Sequence, residues 1–306
     1  MKTVGILAGL AAASIWGGMY VVSKVVLDVV PPFSLLTLRL VIGAAALGAV
    51  VLVRGWPGLE WRLGCRVLGV GLLGYGISLG FQFVGTKLST AANAALVTSA
   101  SPAFMYLFGV WILQERLTVP GILGLALASG GVVAVVDPAA ARLQTDLLWG
   151  NLSLIAAALT WGLYSVLVRW VSRDLGTLQV SLLAFIGGLA VTIPAAMVEL
   201  RFVRIGEITP GVIWGILYLG LVSTALAMYL WNKSLALLEA GMVAVLFFAQ
   251  PLVGAGLGVL LLGEELHIGF WIGAALIAAG LLLAARSAPR ERPIPVPGDR
   301  DWGDRA

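Results

Sequence analysis

The groups in this chain that could handle a solute are amides, hydroxyls and aromatic rings set inside apolar runs. Tyr75, Ser78 and Gln82 follow Gly71 at helical spacing and share one polar or small face, while Leu72, Leu73, Leu79 and Phe83 cover other directions. In the next run Asn93, Thr98, Ser99, Ser101 and Pro102 crowd the first half; towards the C-terminus Gln250 precedes Pro251, with Phe247 and Phe248 one turn earlier. Such groups bind and orient, and no acid–base cluster accompanies them at membrane depth. No Asp or Glu falls at the middle of an apolar run, so neither covalent chemistry nor a strong trap for an inorganic cation is expected. The single cysteine, Cys65, excludes an intramolecular disulfide framework, and the sole histidine, His267, has no spaced partner for zinc. No metal and no cofactor is expected.

Arg39, within SLLTLRLVIGAAALG, is the one arginine inside an apolar run. An unpaired guanidinium in hydrocarbon is costly, so it must snorkel, pair or reach water. Lipid headgroups and a carboxylate on the solute are both candidate partners.

These residues need a lipid-embedded scaffold. Hydrophobic residues make up 60% and charged ones 11%, which removes a water-soluble domain from consideration. The formal charge of +4 does not mark a nucleic-acid binder, because the basic residues sit in short gaps and in the tail, where they determine topology. Ten apolar segments can each cross a hydrocarbon core: 4–27, 33–53, 63–84, 90–113, 119–137, 147–170, 177–198, 211–231, 238–262 and 268–285. The first could open a signal peptide, but Lys24 and Asp28 interrupt the place for cleavage and the segment matches an internal one, so a retained helix is expected.

The chain is written twice. Pro102 pairs with Pro251, Glu115 with Glu264 and Gly124 with Gly273 at an offset of 149 residues, and Trp16-Gly17 with Trp161-Gly162 and Lys24 with Arg169 at 145. Residues 1–140 form the first five-helix repeat, 147–286 the second, and 287–306 a tail expected to be disordered. Because five is odd, the two copies run in opposite directions through the membrane. The predicted fold is therefore an all-α membrane protein of ten transmembrane helices in two inverted-topology repeats. With the N-terminus inside, basic residues divide thirteen to four in favour of the cytoplasmic side, so both termini are expected there.

Several residues admit two roles. Glu115 and Glu264 close their helices, either as interfacial stops or as bonds to helix ends and basic groups of their own half. Pro102 and Pro251 suit a cavity whose walls satisfy freed backbone groups, or plain helix kinks. Trp16 with Tyr20, and Trp161 with Tyr164, are divided between tight packing and a cavity wall. Gly254 and Gly258 at GxxxG spacing allow close helix approach and are no nucleotide loop.

The runs ASIWGGMYVVSK, TLRL, ASPAFMYLFGVWILQERLTVPGILGLALASGGVVAV and AQPLVGAGLGVLLLGEELHIGFWIGAALIAAGLLLA resemble the drug/metabolite transporter superfamily, specifically its EamA group of ten-helix exporters, over about residues 4–285. The resemblance implies a bacterial inner-membrane exporter of small metabolites by alternating access, with neutral or aromatic amino acids the leading class. It also implies a path among the third, fourth, eighth and ninth helices, and so Tyr75, Ser78, Gln82, Ser101, Tyr229, Phe247 and Gln250. A passive facilitator, an exporter of other metabolites or drugs, and an intramembrane transferase are the alternatives. The partners implied are a small solute and membrane lipids; the oligomeric state stays open, a monomer included.

Overall fold

In the computed structural model the described residues are 2–54, 58, 60–112, 118–136, 145–171, 175, 177–237, 246–247 and 249–287. They form an all-helical bundle: α1 Lys2–Leu27, α2 Pro32–Arg54, α3 Trp61–Leu88, α4 Ala91–Ile112, α5 Val119–Val136, α6 Thr145–Val171, α7 Thr177–Phe202, α8 over 210–237, α9 Ala249–Leu262 and α10 Ile268–Ser287. Seven of these helices are long and apolar enough to cross a membrane, and apolar helices over Val119–Val135, Ala249–Leu262 and Ile268–Gly280 are shorter among the described residues. Large apolar side chains such as Leu7, Trp111, Met197, Leu252 and Leu260 point outward. That surface suits lipid. Glu115, the expected ninth-helix start and the tail lie outside the described residues.

Packing follows a rule of exchange. α1 packs on α8 and α9 as α6 packs on α3 and α4; α2 packs on α8 as α7 packs on α3; and α2 with α7, α4 with α9 and α5 with α10 meet as counterparts. Glycine allows the closest of these approaches. A methyl at Gly17 would meet the Gln250 carbonyl, and one at Gly74 would enter the Tyr164 ring.

Two of the helices are irregular at places that regular apolar spacing does not mark. In α3 the stretch Leu72–Ser78 is a π-helix, and in α8 so is Tyr218–Leu226, each in the third helix of its half. A π-turn carries extra backbone and turns the residues beyond it to a different face, and such turns recur at functional sites. α4 is broken at Ser99 and Ala100, where Ser99 N bonds the Leu96 carbonyl and Ala100 N the Val97 carbonyl, three residues back instead of four. Pro102 is second in the piece that follows. Pro251 likewise falls in the first turn of α9, where a missing N–H leaves no intrahelical bond unmade.

Gly74→Ala should lower the thermal midpoint of the purified protein, by the roughly 1–3 kcal/mol of an overpacked core. Gly130→Ala, with nothing near its added methyl, should leave it unchanged. Equal midpoints for the two variants would contradict the tight α3–α6 crossing.

Candidate solute-binding site

The interruption of α4 creates the chemistry at the centre. Because Ser99 N turns to the Leu96 carbonyl, the carbonyl of Ala95 loses its usual amide, and Gln250 Nε2 takes its place at 3.2 Å. The carbonyl of Thr98 would be met by the amide of residue 102, which is proline; Ser101 Oγ donates to it instead at 2.6 Å. The Thr98 hydroxyl lies 2.6 Å from the Ala94 carbonyl, so its one proton goes there. The Tyr20 hydroxyl, 2.6 Å away, therefore donates to it, and Gln250 Nε2 approaches the same oxygen at 3.3 Å. A buried net of Tyr20, Thr98 and Gln250 thus joins α1, α4 and α9.

Around this net lies a central cavity. It is lined by Trp16, Met19 and Tyr20 of α1, Arg39 of α2, Tyr75, Leu79 and Gln82 of α3, and Thr98 and Ser101 of α4. Ala157 and Trp161 of α6, Ser223, Thr224 and Met228 of α8, and Phe247 and Gln250 near the start of α9 complete it. No described residue that lines it is an Asp or Glu.

Two aromatic clusters form its walls. Trp16 meets Trp231 at 5.3 Å and Phe247 at 6.0 Å between ring centroids, and its Nε1 donates to the Ser223 carbonyl at 3.0 Å. Tyr75 packs edge-on against Trp161 at 5.7 Å, Tyr164 at 5.4 Å and Phe185 at 4.7 Å. Trp16 and Trp161, paired by the duplication, therefore stand in separate walls of one cavity.

Nine expected residues reach the cavity: Trp16, Tyr20, Arg39, Tyr75, Gln82, Ser101, Trp161, Phe247 and Gln250. Ser78 does not, because its hydroxyl donates to the Ala157 carbonyl at 2.9 Å and ties α3 to α6. Tyr164 stands behind Tyr75. Tyr229 is 57% exposed, and Met228 takes the inward position, since the π-stretch of α8 shifts the face that regular helical spacing predicts. The same effect in α3 brings Leu79, expected on another face, to the cavity wall. Thr98, Thr224, Ser223, Met19, Met228 and Ala157 were missed; of these only Thr98 had a signal, its place in the polar first half of α4.

Glu264 differs from expectation in its partner. Its Oε1 accepts from Ala91 N at 2.6 Å and Oε2 from Ala92 N at 2.9 Å, so it caps α4, in the other half and not its own. Gly263, at φ 66°, ends α9 in the left-handed conformation that turns the chain towards this contact. Thr90 Oγ1 accepts from Asn93 N, completing the first turn. A second clamp was not foreseen. Glu199, at the end of α7, accepts from Phe33 N at 3.2 Å and from Ser34 N and Oγ at 2.9 and 3.0 Å, capping α2 just after Pro32. Lys24 Nζ donates to the carbonyls of Lys87 and Ser89 at the same end of the bundle.

An all-helical membrane bundle with a polar, aromatic cavity at the meeting of two similar halves has the build of a solute carrier. The chain belongs to the EamA-like transporter family, whose sequence model matches residues 3–136 and again 148–286. It is a multi-pass membrane protein. Among its relatives, a probable amino-acid metabolite efflux pump of Salmonella typhimurium is 29% identical over 88% of this chain and 90% of its own length. A protein of Escherichia coli with the same description is 28% identical over 91% and 93%. The uncharacterized transporter YetK of Bacillus subtilis is 25% identical over 92% and 87%. A solved structure described as "Crystal structure of protein" has the same fold at a TM-score of 0.64 and 24% identity, covering 95% of this chain and 100% of that one.

Glu199→Gln and Glu264→Gln should each destabilise the protein by roughly 1.5–3 kcal/mol, the range for hydrogen bonds to a charged group. Thermal unfolding in detergent measures this, and a midpoint unchanged in both would show that the caps contribute nothing.

Proposed function

We propose that the protein exports small metabolites across a bacterial inner membrane by alternating access, with neutral and aromatic amino acids as the leading solutes. The observation that carries this reading is the cavity itself, with aromatic walls, Gln82 and Gln250 within it and no carboxylate among its described lining residues. Rings supply apolar contact, while amides and hydroxyls orient a polar end. The printed description of the Salmonella typhimurium relative points the same way.

In this reading the two halves are inverted copies with both termini in the cytoplasm. The exchange symmetry of the packing and the matched π-stretches support it. Alternating access then consists of one arrangement of the halves giving way to its mirror across the membrane, with the cavity at the pivot.

Purified protein in liposomes loaded with phenylalanine should drive counterflow of labelled phenylalanine, and Gln250→Ala should weaken it about tenfold or more, the effect of leaving one buried polar group unmatched. Accumulation against a gradient that depends on an imposed proton gradient would identify a coupled carrier; equilibration alone would make it a facilitator. Absence of counterflow for every solute in an amino-acid and metabolite panel would defeat the proposal.

The orientation is tested separately. On a Cys65-free background, Gly58→Cys should react with an impermeant thiol reagent only from the cytoplasmic face and Gly206→Cys only from the opposite one. The reverse pattern would invert the topology.

A further inference from the structure

Arg39 is 5% exposed, in the middle of a bundle that offers it no counter-ion among the described residues. Its Nε donates to Thr224 Oγ1 at 2.6 Å, and its guanidinium carbon lies 5.5 Å from the centroid of the Phe83 ring. Thr224 is held for this contact by the π-stretch of α8, where its hydroxyl also reaches the Leu219 carbonyl, five residues back, at 2.7 Å. That fixes one side of the guanidinium. Its Nη1 is buried with no hydrogen-bond partner in the structure, although the residue lines the cavity. The two described carboxylates that reach across the halves, Glu199 and Glu264, have both oxygens engaged at helix starts.

A buried cation with an unpaired donor, one edge held and a cavity lined by the same side chain is a preformed half of an ion pair. The group that matches a planar guanidinium fork is a carboxylate, which accepts two parallel hydrogen bonds. Charge balance then ranks solutes. A monoanion neutralises the site, a zwitterion brings its ammonium into a cavity that already holds one positive charge, and a cation adds a second. We infer that Arg39 anchors the solute's carboxylate and that the cavity selects by this group and not by an ammonium, so that it accepts apolar monocarboxylates, aromatic ones foremost, of which amino acids are only part. The inference rests on reading the cavity as a solute site. Trp16, Tyr75, Trp161 and Phe247 would receive the apolar body.

The test uses three matched probes on the purified full-length protein: 3-phenylpropionate, with a carboxylate alone; phenylalanine, with both charges; and phenethylamine, with an ammonium alone. Equilibrium binding should follow that order, the first being about tenfold or more tighter than the last, as for a hydrogen bond to a charged group. Arg39→Gln should abolish the order, and Arg39→Lys, which keeps the charge but loses the fork, should fall between. The order in the unmutated protein stands on its own if Arg39→Gln fails to fold. Phenethylamine binding as tightly as 3-phenylpropionate, or a folded Arg39→Gln that keeps the preference, would overturn the inference while leaving the cavity a solute site. Binding of none of the three, together with no phenylalanine counterflow, would remove the parent reading and this inference with it.

Discussion

A backbone amide or carbonyl with no partner in hydrocarbon costs several kcal/mol, and the layout of this molecule follows from where it lets such groups go free. Several helix starts lie beside side chains that receive their amides. Glu264 and Thr90 serve α4, Glu199 serves α2 after a proline that has no amide to satisfy, and Thr209 serves α8. Inside the bundle the same rule makes the site. The break in α4 frees two carbonyls, and Gln250 and Ser101 answer them, so the polar groups of the cavity are held by the irregularity that makes room for it.

Charge obeys a stricter form of that rule. Lys24 lies near the end of its helix, donates to two carbonyls there, and has Asp28 and Glu264 close enough to act on its charge. Arg39 lies deeper and receives only a threonine oxygen and a ring face. The weakness of that solvation separates a structural cation from one that can take up a ligand. Two adjacent helices thus carry cations with opposite prospects, decided by how many acceptors the fold brings to each.

Much of this was legible from the residues. Apolar runs located the helices, and the paired prolines marked the two places where a helix piece begins at cavity depth. Regular spacing carried Tyr75 and Gln82 to the cavity but misplaced Leu79 and Tyr229, because nothing in LLGYGIS or YLGLVSTAL announces a π-turn. A π-turn is stabilised by what the neighbouring helix offers, here the glycine-lined contact of α3 with Tyr164 and the bond that Thr224 accepts from Arg39. Glu264 stands just past the end of α9, and its partners, the amides of Ala91 and Ala92, belong to the other half. Sequence neighbours cannot reveal that, since the contact spans more than 170 residues and depends on how the halves pack.

Duplication makes the halves alike without making the two ends of the bundle equal. Glu264 has Glu115 as its counterpart, so a carboxylate is available after the fourth helix of each half. Glu199 has none: the residue 145 positions before it is Arg54, which carries donors only. A guanidinium cannot accept from the amides at a helix start, and its charge is repelled by the positive end of the helix dipole. In this register the sequence therefore offers no carboxylate at the position that matches Glu199. At the end of the bundle where α2 and α4 begin, Glu199 and Glu264 together accept from four backbone amides and one hydroxyl across the boundary between the halves. Any movement that separated the halves there would expose those amides unless water replaced both carboxylates. A repeat that is alike in its packing thus differs in the chemistry of one matched position, a carboxylate at Glu199 and a guanidinium at Arg54.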